Sequence, residues 1–287
     1  MPDPEIACDE SGYEGDKLIG TTTSVFAHAG VRLGGADAAG LLDELRARVR
    51  SPATEYKANH LLREKHRRVL EWVLAALAGH AHVFLAEKEF FVLRQLCATL
   101  LDDPGAARLL HRDGPAALGP RWRPFLVAAN NVLRVKEYPE TPFLPVPAGA
   151  AGDVGTLLAR LAGTGDRIAA LRASMPAEIP PADPLFPAIA RAARYGDGPA
   201  TIVHDQQRVF SPERIAQVVR LGGLRELRLV DSGGDPRIQL ADILAGSARA
   251  IASEALAGRG DAVLMELLRP YADPGSVWGD ERSWPGA

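Results

Sequence analysis

Three aspartates stand where a carboxylate is costly unless something pairs with it or binds it. Asp9 follows the short apolar run Ile6-Ala7-Cys8 and opens Asp9-Glu10-Ser11-Gly12, so the segment reads as a strand breaking into a turn. In α/β folds the carboxyl ends of strands open into sites. Asp205 repeats the arrangement directly after Thr201-Ile202-Val203-His204. Asp and Gly also close strands for local reasons alone, so the pair carries more weight than either residue. Asp242 lies within Ile238-Gln239-Leu240-Ala241-Asp242-Ile243-Leu244-Ala245-Gly246, where nearly every neighbour is apolar. With Asp235 as N-cap and Pro236 at the first helical position, Asp242 sits about 10 Å along a helix, past the turn where the dipole favours anions. Capping does not explain it; burial against Arg249 or Arg237 is the structural alternative.

Three or four carboxylates from separate elements form a hard, oxygen-rich cage suited to Mg2+ or Mn2+ rather than Zn2+. Two such ions about 3.5–4 Å apart can activate water and stabilise the leaving oxygen of a phosphodiester. The expected metal ligands are Asp9, Glu55, Asp205 and Asp242, with Glu10 and Ser11 behind them. Lys57 and Lys88 are the expected phosphate-facing cations of the catalytic set, and Arg63 and Gln239 join them as substrate contacts. Rival constellations are weaker. His80-x-His82 lacks a third ligand, Ser11-Gly12 and Ser232-Gly233 lack a nucleophile elbow, and Cys8 points to the opposite face from Asp9.

The elements that must position these residues follow from periodicity and turn chemistry. Residues 24–33 (SVFAHAGVRL) read as a second strand forming a hairpin with the first. A helix capped by Asp37 is expected to about Arg50, a second from about Leu61 to Gly79, and a central strand over His82–Phe91 that carries Lys88 opposite Glu87 and Glu89. Residues 92–195 read as a mostly helical insertion, with pieces at Val92–Leu101 and Arg121–Val135 and Pro-rich loops at 138–149 and 175–187. Strands at 200–204 and 226–230 flank a helix opening at Ser211-Pro212, and the last clear helix opens at Asp235-Pro236.

At 287 residues the chain can fill a substantial core from its 47% hydrophobic content. Cys8 and Cys97 alone support neither a disulfide framework nor a zinc site, and a reducing cytoplasm fits best. No leader and no membrane-spanning run is expected. The net charge of −3 does not advertise a polyanionic partner, but Lys57, Arg63, Lys65, Arg67 and Arg68 gather with only Glu64 opposing them. That run reads as a solvated helix face or as a phosphate-facing patch.

With these residues in hand, the chain resembles the DUF3800 family of prokaryotic proteins. The matching pieces are DESG at 9–12, the ExK of Glu55-Tyr56-Lys57, Lys88, Asp205, and VDSGGDPRIQLADILAGSAR at 230–249. They fall in roughly the first 90 and last 90 residues. The resemblance implies a ribonuclease-H-like α/β fold, a mixed sheet flanked by helices, forming one domain over residues 1–287. Its members place carboxylates on the first strand, a central strand and a late helix. Asp9, Asp205 and Asp242 occupy those positions in order. The expected function is a divalent-metal-dependent nuclease acting on RNA or DNA; the alternatives are a hydrolase of a small phosphorylated molecule or a non-catalytic nucleic-acid-binding module.

Overall fold

The computed structural model describes residues 5–50, 56–134, 152–174, 179–195, 198–207 and 209–284. Its centre is a five-stranded mixed sheet of β1 (Glu5–Ser11), β2 (Val25–Val31), β3 (Ala81–Glu87), β4 (Thr201–Asp205) and β5 (Glu226–Val230). The strand order is β3-β2-β1-β4-β5. β2 runs antiparallel to β1 and β3, while β1, β4 and β5 are mutually parallel. The helices are α1 (Gly35–Val49), α2 (Ala58–Leu61), α3 (Arg67–Ala76), α4 (Lys88–Leu101), α5 (Ala106–Leu118), α6 (Trp122–Val132), α7 (Gly152–Ala162), α8 (Gly165–Ser174), α9 (Leu185–Ala192), α10 (Pro212–Gly222), α11 (Pro236–Leu256) and α12 (Ala262–Leu268). The protein is therefore α/β, with helices on both faces of the sheet.

Strand alternation divides the core. Val25, Ala27, Ala29, Val83 and Leu85 pack with α1, α3, α11 and α12. Ile6, Cys8, Phe26, Phe84 and Ile202 pack on the opposite face with α4–α7, α9 and α10. Both faces are covered, which is why the strands read as continuous apolar runs. The 21-residue α11 lies against β1 and β2. The N-cap aspartate and Pro at N1 start it as expected: Asp235 accepts from Arg237 N–H at 2.9 Å. Ser211 likewise caps α10.

Several boundaries differ from the sequence reading. Asp37 lies in the first turn of α1, and the cap position is Gly34. The helix expected over 61–79 is shorter: α3 covers only Arg67–Ala76 and packs on α1 and α12, a 3-10 turn over Glu64–His66 precedes it, and the separate α2 packs on α11. The strand expected to reach Phe91 stops at Glu87, and Lys88 starts α4. Phe90, Phe91, Val92 and Leu93 are all buried on α4; such an apolar run suits a buried helix as well as a strand covered on both faces, so the run alone does not decide between them. The described residues between 88 and 195 are helical or turn, as expected; the Pro-rich stretch at 138–149 lies outside them, and α9 begins within the one at 175–187.

The outer edge of β3 is covered by residues 272–277. Asp273 N–H donates to Val83 O, Val277 N–H to Leu85 O, and Glu87 N–H to Val277 O, at 2.8–2.9 Å. Among the described residues no helix is long and apolar enough to cross a membrane.

Candidate functional site

Asp9 points from β1 toward α11, on the face shared with Ala7 and Ser11, and is only 7% exposed. Glu10 N–H donates to its Oδ1 at 2.7 Å. Burial first, and then the charges of Asp242 and Asp205, raise its carboxyl pKa from 3.8 to about 7; Lys57 and the Glu10 N–H oppose the rise. Three of the expected ligands therefore converge closely enough to repel one another. Asp205, at the end of β4, accepts from Ser232 N–H at 3.0 Å. Asp242 meets Lys57 Nζ at 3.9 Å. The two arginines considered as partners for Asp242 are recorded elsewhere among the described residues: Arg237 binds Asp235 and Glu5, and Arg249 donates to Ser11.

The other expected residues divide. Lys57 is at the site and exposed. Arg63, Lys65 and Arg68 are exposed nearby in the chain, with no ion pair recorded for them among the described residues, whereas Arg67 is tied to Glu71 and Asp261. Gln239 donates to Ser232 O at 3.3 Å, which steadies the turn whose N–H holds Asp205; this is a positioning contact. Glu55 lies outside the described residues. Lys88 departs from its expected role. Its side chain is 1% exposed and its ammonium donates to Thr21 and Thr23, at 3.1 and 2.7 Å, with Glu14 at 3.6 Å. As the first residue of α4 it turns inward to hold the β1–β2 connection.

Glu10 occupies the opposite face of β1. Gln207 donates to its Oε1 at 2.5 Å, and its Oε2 lies 3.5 Å from His204 Nε2. Two histidines that sequence reasoning passed over, His28 and His204, meet there with Nε2 atoms 3.2 Å apart, both fully buried. His204 Nδ1 donates to the Asp205 carbonyl at 2.9 Å, so its Nε2 is the acceptor and His28 Nε2 the donor. Burial depresses both imidazoles, His204 to about 4, and keeps them neutral. The signal available was a polar residue inside each apolar run, SVFAHAGV and TIVH. His82 Nε2 instead hydrogen-bonds the buried Asp273, which also holds Arg191, while His80 is exposed.

Asp9, Asp205 and Asp242 fit a hard divalent cation by donor type, and the charges of Asp242 and Asp205 add to burial in raising the Asp9 carboxyl. Among the described residues, no group of three or more His, Cys, Asp or Glu stands ready-made to hold a metal ion. Compared with family models, curated proteins and solved structures, the chain matches none.

Proposed function

We propose that this protein is a divalent-metal-dependent nuclease on a ribonuclease-H-like core, with the helices between residues 88 and 195 as an insertion, in keeping with its resemblance to the DUF3800 family. One observation carries the reading: the charges of Asp242, in α11, and Asp205, at the end of β4, reach the buried Asp9 of β1 and add to burial in raising its pKa to about 7. The order first strand, central strand, late helix is the one the resemblance implies. The five-stranded mixed sheet is compatible with it. The exposed Arg63, Lys65 and Arg68, following Lys57, favour a polyanionic substrate.

Asp9, Asp205 and Asp242 would hold Mg2+ or Mn2+, which when bound supplies Lewis-acid polarisation of a phosphoryl oxygen and a more acidic water. The protein's own groups do the rest. Asp205 is fixed by the Ser232 N–H, and Gln239 fixes that turn. Asp9 exchanges its proton near neutral pH, the range in which general acid–base groups work best. Lys57, exposed beside Asp242, is placed to meet a phosphate.

The test is cleavage of labelled single-stranded, duplex and hybrid DNA and RNA with Mg2+, Mn2+ or EDTA, by wild type and by Asp9→Asn and Asp242→Asn. Metal-dependent cutting should fall by about a hundredfold or more in both folded variants. No cutting by well-folded wild type overturns the nuclease; hydrolysis of a small phosphodiester alone would replace it with the small-molecule hydrolase.

A further inference from the structure

Ser11, Gly12 and Arg249 sit in the two stretches that carry Asp9 and Asp242, yet the reading above gives them no work. Arg249 follows Asp242 by seven residues, two helical turns, so both project from one side of α11 about 10 Å apart along its axis. Its Nε donates to Ser11 Oγ at 2.9 Å, which sets the plane of the guanidinium, and among the described residues no bond is recorded for its terminal nitrogens. Gly12 makes room for its stem. A Cβ there would lie 2.8 Å from Arg249 Cδ and 2.5 Å from Val25 O, and the residue has φ +77°.

Several arginines with part-buried bonds hold carboxylates, Arg67 with Asp261, Arg134 with Asp16, Arg191 with Asp273 and Arg237 with Asp235 and Glu5, while Arg167 and Arg214 reach the carbonyls of Leu100 and Val209. Arg249 is half-buried, and its recorded partner among the described residues is a hydroxyl. Burial pulls its pKa down and no carboxylate counters it. The Lys88 ammonium, paired with Glu14 at 3.6 Å, is near enough for the Arg249 charge to act on it. A desolvated guanidinium fork with free N–H groups is built for an oxyanion, and phosphate matches it bidentately.

We propose that Arg249, braced by Ser11 and admitted by Gly12, binds a second phosphate of the substrate strand, next to the phosphodiester held at the carboxylates. The inference rests on the nuclease reading and narrows its substrate to a strand with several phosphates. A single-phosphate ester can reach the carboxylates but cannot reach Arg249 as well.

The experiment uses the full chain as wild type, Arg249→Gln, Arg249→Lys and Ser11→Ala, each checked for folding by circular dichroism. Binding of a labelled short single strand, as RNA and as DNA, is read by fluorescence anisotropy. Hydrolysis of the same strand is compared with that of bis(p-nitrophenyl) phosphate. Arg249→Gln should weaken strand binding about tenfold or more, with Arg249→Lys and Ser11→Ala intermediate. The ratio of kcat/KM on the strand to kcat/KM on the ester should fall by a similar factor. Strand binding within about twofold of wild type overturns the proposal, as does an equal loss on strand and ester, or no strand binding by wild type. If Arg249→Gln does not fold, the same criteria apply to Arg249→Lys and Ser11→Ala. Strand binding that depends on Arg249 without any hydrolysis sinks the nuclease and keeps the anchor. Hydrolysis indifferent to Arg249 does the reverse.

Discussion

Asp9 is a carboxylate that the fold holds in the wrong protonation state for stability. Its pKa rises from 3.8 to about 7, so between those values the folded chain keeps a proton that the unfolded chain has released. The stability contributed by this group is therefore full below about pH 4, declines as pH rises to about 7, and is flat above. The loss is on the order of 4 kcal/mol at most, at about 1.4 kcal/mol per pKa unit. Asp9→Asn should be more stable than metal-free wild type at pH 8 and similar near pH 4, as measured by urea unfolding. Millimolar Mg2+ or Mn2+ should restore wild type at pH 8 and leave Asp9→Asn unchanged. Lys88 makes the opposite case. Removing its ammonium unpins Thr21 and Thr23, so Lys88→Ala should cost about 2–4 kcal/mol, visible as a lower urea midpoint. The three aspartates were legible because each interrupts or ends an apolar run. The inward turn of Lys88 was not, because it depends on the strand stopping at Glu87, four residues short of Phe91.

At the scale of elements, the contact between α2 and α11 sets the distance from Lys57 to Asp242. A Cβ on Gly246 would lie 2.5 Å from the Ala58 Cβ, so these two helices touch because position 246 has no side chain. Gly246→Ala should lose about 1–3 kcal/mol even though alanine is the better helix former, and adding Ala58→Gly should recover part of it. A double-mutant cycle of thermal melts measures the coupling. Element types were mostly legible: the strand ending at Asp205, the strand at 226–230, and the capped starts of α10 and α11 follow from local turn chemistry, whereas the first strand runs on past Asp9 to Ser11, paired with β2. What local pattern could not show was partner choice. It decides that α2 and α3 are separate, and it makes Phe90–Leu93 helix rather than strand.

For the whole molecule, residues 272–277 close an edge that would otherwise be open. β3 is apolar and buried along its length, and an uncovered strand of that kind is a template for association. Val277→Pro removes the N–H that reaches Leu85 O; it should cost about 1–3 kcal/mol and raise light scattering on warming. This covering was not legible, because 272–277 lacks strand alternation and borrows its geometry from β3.

The sheet also sets a timetable. β1 comes first among the strands in the chain but lies in the middle of the sheet, and its residues 5–8 pair with 201–204. Asp9 is made long before Asp205 and Asp242, and at about 5–20 residues per second that interval is roughly 10–50 s. Until α11 has emerged, a growing chain carries a lone Asp9 with neither its repelling neighbours nor its metal-binding partners. On the proposed nuclease reading, the cutting centre therefore cannot assemble before α11 is made, which keeps it inactive through most of synthesis, close to its own message.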